Sequence, residues 1–184
     1  MREWNGLRRG AVGVIVGLVL MGGVGPGLSG EAGARERWGP FRGQVVDVET
    51  GQPIAGAVML VVWWELHGIG FIGERFYEAR EAVTDAEGRF EVPRLGPPWA
   101  LSVQPPRFHL FAPGYERERD IVTPPDGERF VVPTVVSMRP LKTKEERRRH
   151  IGGRLPAGVP DEKMPEFIRA IDKERSSLGL GTYR

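Results

Sequence analysis

The chain has 184 residues, 26 basic and 24 acidic side chains, and no cysteine. That length bounds one domain with appendages. The missing thiols exclude disulfides, thiolate metal centres and a lipid-modified cysteine, so the fold must hold through its core alone. The charge is uneven: 11 basic against 15 acidic residues over 35–138, and 12 against 7 over 139–184. All four lysines lie in that basic tail. Its signs alternate and its only aromatics are Phe167 and Tyr183, so nucleic-acid binding is not expected. One Asn and three Gln beside 16 Pro fit either a thermophilic source or a GC-rich genome.

Residues 1–34 have the layout of a secretory signal. Arg2, Arg8 and Arg9 precede 20 uncharged residues, Ala11 to Gly30, and Ala32-x-Ala34 offers a small-residue cleavage site. The densest apolar part, Ala11 to Met21, is short for a spanning helix. A cleaved signal is expected, with an uncleaved membrane anchor over residues 11–30 as the alternative. Either one exports the chain to the periplasm or the exterior. Residues 35–40 are a linker.

The exported part then reads as short strands. Phe41 to Val48 is the first, and Glu49 to Pro53 is a turn. Ile54 to Leu66 predicts a long strand, bulged or kinked near Gly56. Residues 68–73, Gly-Ile-Gly-Phe-Ile-Gly, fit the G-x-G-x-x-G pattern of a dinucleotide loop, and Glu91 lies near the offset of its acidic partner. That chemistry needs a crossover helix after the loop. Here Phe76 to Thr84 and Arg89 to Val92 form a hairpin around Asp85-Ala-Glu-Gly88 instead, so no nucleotide cofactor is expected. Trp99 to Val103, Arg107 to Phe111, Tyr115 to Val122 and Arg129 to Met138 are further strands. Seven or eight strands with turns every eight to twelve residues predict an all-β sandwich over 41–138.

The period changes in the tail, 139–184. Thr143-Lys-Glu-Glu146 is a capping box that opens a helix over about 144–150. Met164, Phe167, Ile168, Ile171 and Leu178 fall on one face of a second helix over about 162–178. That stripe must pack on the sandwich or on a partner.

Three stretches, FRGQVVDVETGQPIAGAVM, AVTDAEGRFEVPRLG and FAPGY, together resemble the carboxypeptidase regulatory-like family. The matching positions include Gly43, Val45, Asp47, Thr50, Gly51, Pro53, Ile54, Thr84, Asp85, Gly88, Phe90 and Tyr115. The resemblance implies a transthyretin-like (Ig-like) β-sandwich of about seven strands, used as an accessory or binding module; it implies no activity. Read on their own, these residues set turns, pack the core or hydrogen-bond loop backbone.

No catalytic residue, metal ligand or cofactor is expected. His67, His109 and His150 are far apart in sequence without an H-x-H or H-x-x-x-H spacing. The candidate binding residues crowd around the glycine-rich loop: Trp63, Trp64, His67, Phe71, Phe76 and Tyr77. Trp63 and Trp64 must face opposite sides of a strand, so one can be core while the other is exposed to a protein or carbohydrate partner at the bacterial cell envelope. The competing readings are loop aromatics that cap the sandwich, a small exported hydrolase or metal-dependent enzyme using His67 or His109, and a purely structural accessory protein.

Overall fold

A computed structural model of the chain describes residues 37–68, 70, 73–96, 102–119, 134–151 and 155–183. The signal or anchor over residues 1–34 lies outside them, as do Ile69, Phe71, Ile72, the start of the expected strand at Trp99 and residues 129–133. The described residues form a mainly β, sandwich-like fold with two α-helices.

The strands are β1 (Phe41–Asp47), β2 (Val58–His67), β3 (Gly73–Val83), β4 (Arg89–Val92), β5 (Arg107–Phe111), β6 (Glu118–Arg119) and β7 (Val135–Met138). One sheet has the order β4-β1-β7 and the other β3-β2-β5-β6. β1 runs antiparallel to β4 and parallel to β7, while all neighbours in the larger sheet are antiparallel. β2 starts only at Val58, because the residues before it are tied down as a loop. Ile54 N–H donates to the Val45 carbonyl and Gly56 N–H to the Thr84 carbonyl. The bulge lies further on, between Trp63 and Trp64: Trp63 pairs with Glu78 and Trp64 with Phe76, leaving Tyr77 as the extra residue.

The alternation of β2 separates two cores. Met59, Val61 and Trp63 point between the sheets, where they meet Phe41, Val45, Phe90, Phe108 and Leu110. Val58, Leu60 and Val62 point the other way and are equally covered. Their cover is the tail, so VMLVVWW is apolar throughout because both faces of β2 are buried.

The tail helices are α1 (Lys144–Ile151) and α2 (Pro165–Ser177), with a 3-10 turn at Asp161–Lys163 between them. At the start of α1, Glu146 N–H donates to Thr143 Oγ1 and the Glu146 carboxylate accepts from Thr143 N–H, both at 3.1 Å. These are the two reciprocal bonds of a capping box. Pro165 sits in the first turn of α2, where its missing N–H costs nothing. Met164, Phe167, Ile168, Ile171 and Leu178 are all buried against the outer face of the larger sheet, with the Phe167 ring 6.0 Å from that of Phe111.

Polar contacts also fix the tail, Lys163 to Glu78 of β3 at 2.9 Å among them. Residue Met164, which precedes α2, has no side chain to cap the helix. Glu81 of β3 does so from across the interface, accepting the backbone N–H groups of Glu166 at 3.0 Å and Phe167 at 2.7 Å. Burial nevertheless raises the Glu81 carboxyl above its ordinary value, with the two N–H donors acting against that rise. Arg147 of α1 grips the buried Glu174 of α2 with two bonds, of 2.7 and 2.5 Å, and also reaches Ser177. His150 of α1 meets the Glu116 carboxylate through Nε2 at 3.2 Å and the Glu146 carbonyl through Nδ1 at 2.9 Å.

Candidate functional site

The glycine-rich segment closes a hairpin. His67 pairs with Gly73 across it. A Cβ at position 73 would stand 2.8 Å from the His67 ring, so a larger residue there would have to displace that exposed side chain. The segment therefore joins two antiparallel strands, which is incompatible with a pyrophosphate loop between a strand and a helix.

Of the tryptophan pair, Trp63 is the core member and Trp64 is half-buried on the opposite face. Trp63 is 0% exposed: its ring packs against Phe41 in the inter-sheet core, and its Nε1–H donates to the Arg37 carbonyl at 3.1 Å. Trp64 faces the tail, where Gly158 closes over its ring. Phe76 meets Trp64 edge to face with ring centroids 6.3 Å apart, and the Arg107 guanidinium lies 5.5 Å from the indole centroid. Tyr77 leans on the inter-sheet core. Ordinary strand alternation sends neighbouring Phe76 and Tyr77 to opposite cores. Of the described candidates only His67 is exposed, and Phe71 lies outside the described residues. The described aromatics divide between the two sides of one sheet: Trp63 and Tyr77 on the inter-sheet side, Trp64 and Phe76 on the tail side.

The residues behind the family resemblance have equally definite positions. Asp47 is buried at the end of β1, where Oδ1 accepts the N–H groups of Glu49 and Thr50 and Oδ2 accepts the Tyr115 hydroxyl at 3.2 Å. Burial alone would raise this carboxyl, but those three donors together hold it below its ordinary value. Thr84 is buried, donates to the Ile54 carbonyl at 2.7 Å and accepts Ala57 N–H at 2.8 Å. Asp85 Oδ1 accepts from Glu87 and Arg89 N–H in the hairpin turn. Gly88 has φ +71°, and a Cβ there would fall 2.5 Å from the Val45 carbonyl oxygen. Asp47 Oδ1 and Asp85 Oδ1 hold turns, while Asp47 Oδ2 and the Thr84 hydroxyl tie together segments distant in sequence.

Among the described residues no group of three or more His, Asp or Glu side chains is placed to hold a metal ion. No helix among them is long and apolar enough to cross a membrane.

One concavity combines apolar and charged walls. It is a cleft of about 290 Å³ at the end of the sandwich where β2 begins and β3 ends. Ile54, Val58, Val83 and Ala112 form its floor, and Glu166, Arg169 and Lys173 of α2 form its rim. Val83 is 46% exposed, an unusual position for a valine at the end of a strand. Arg169 pairs with Glu166 three residues earlier, whereas Lys173, one turn further along, has no ion pair among the described residues. The sequence concealed this site because its floor and rim come from segments more than 50 residues apart.

No protein-family model, no curated protein and no solved structure matches this chain.

Proposed function

We propose that this chain is a non-catalytic, exported accessory module of the carboxypeptidase regulatory-like kind, with the transthyretin-like arrangement of strands, and that it binds a partner at the cell envelope. The reading rests chiefly on how its polar motif residues are used. Asp47, Thr84, Asp85 and Tyr115 direct their oxygens into turns and loop closures, which is the work of a scaffold and leaves no activated nucleophile at those positions. We place the partner surface at the cleft beside α2 rather than at the aromatic loop, since Trp63 is buried and Trp64 is half-buried against the tail.

Export predicts a mature protein that begins at Arg35, or a full chain that sediments with membranes if residues 1–34 are retained. The binding role is tested by placing a photo-crosslinking residue at Val83 in the cleft, with Val135 on the far sheet as the control position, in cells that make the full chain. A discrete adduct at Val83 alone, with the partner chemically unaltered, is expected. Adducts at both positions, or at neither, would contradict the reading. A partner recovered cleaved or modified would favour the alternative, a small exported enzyme.

A further inference from the structure

We infer that the cleft beside α2 takes an acidic, aliphatic segment of a partner protein, with Lys173 and Arg169 engaging its carboxylates; this rests on the binding role proposed above. Three features select that chemistry. The floor is aliphatic, built from Ile54, Val58, Val83 and Ala112, so it accepts small branched side chains. The rim carries two cations one helical turn apart on α2, Arg169 and Lys173. Arg169 is 70% exposed and is balanced by Glu166. Lys173 is not balanced by any described carboxylate, so the rim keeps a net positive charge that an acidic segment would complement.

A glycan fits less well. Sugar faces stack on exposed aromatic rings, and the one ring lining this cleft is Tyr115, whose hydroxyl already donates to Asp47. The cleft is also presented away from the chain's amino-terminal side. Residue Arg37 lies at the Trp63 end of the sandwich, through the bond from Trp63 Nε1–H to its carbonyl. The cleft lies at the Val58 end of the same strand.

The test titrates the full exported chain, labelled for amide NMR, with three probes: a decapeptide alternating Glu and Leu, its Lys–Leu counterpart, and an N-acetylglucosamine oligomer. The Glu–Leu peptide is expected to shift the amides of Val83, Ala112, Ala170 and Lys173 saturably, and added salt should weaken it. Lys173→Glu should weaken it at least tenfold. Lys144→Glu makes the same charge change at an exposed position on α1 and should alter affinity less than twofold. Val83→Glu, on an exposed part of the floor, should abolish the shifts while leaving the rest of the spectrum in place. Equal binding of the Lys–Leu peptide, no shift at these amides with the Glu–Leu peptide, or displacement of that peptide by the sugar would each overturn the inference. If the Val83 crosslink forms in cells while the acidic peptide fails, the binding role stands and the acidic class falls. If both fail, both fall.

Discussion

The outer faces of the two sheets have opposite fates. On the β4-β1-β7 sheet the outward residues are Arg42, Gln44, Val46, Arg89, Glu91, Val135 and Ser137, none of them buried. Arg42 bridges Glu91 in water, both side chains more than half exposed. On the larger sheet the outward residues Val58, Leu60, Val62 and Phe111 are buried under the tail. A polar face can end a sandwich, but an apolar one needs a further layer. The tail supplies that layer, so it belongs to the fold even though its composition and charge set it apart.

Removing the cover should have the largest effect. A chain truncated after Met138 would expose Val58, Leu60, Val62, Ala79 and Phe111 together. It is expected to lose its single cooperative urea transition and to bind a hydrophobic dye. A well-folded truncated chain with near-native stability would break the contrast between the faces.

Single substitutions grade the same contrast. Phe167→Ala empties a fully buried site under the tail and should cost about 3–5 kcal/mol. Val135→Ala, on the open face, should cost less than about 0.5 kcal/mol. Urea midpoints at unchanged slope measure both.

The polar anchors differ in size and in the sign of their pH dependence. Glu81→Gln weakens the cap on α2 and should cost about 1 kcal/mol. Because burial raises the folded-state carboxyl above its ordinary value of 4.5, the native state holds the proton more tightly than the unfolded chain. The contribution of Glu81 is therefore greatest below about pH 4.5 and falls as pH rises through its raised value. Asp47 has the opposite sign. Its folded-state value lies below 3.8, so its contribution is full above that pH and is lost as pH falls further. Stability curves for Glu81→Gln and Asp47→Asn should diverge from the parent in these opposite directions, and parallel curves would contradict the assignment. The smallest effect belongs to the open face: Arg42→Ala removes an exposed ion pair and should leave the urea midpoint where it is.

The sequence made some of this legible and hid the rest. Local chemistry was readable. The Thr143–Glu146 box, the stripe from Met164 to Leu178 and the Asp85–Gly88 turn each depend on residues within a helical turn or two of one another. The two-sided burial of β2 left a trace in its unbroken apolar run, which a sandwich strand with one wet face would not show. Strand alternation assigns Trp63 and Trp64 to opposite faces without saying how wet the second face is, and there Trp64 is half-buried. Here Trp64 met the tail at Gly158, almost a hundred residues away. Glu81 as the cap of α2 and the cleft left no local signal, since each joins β3 to a helix more than 80 residues later.

The central claim is that tail and sandwich form one cooperative unit, and native-state hydrogen exchange tests it most directly. The amides of Ile168 and Ile171 in α2 are predicted to exchange with the same opening free energy as those of Leu60 and Val62 in β2. Exchange of the α2 amides through a much cheaper opening, with β2 still protected, would show that the tail is an appendage and would contradict the account.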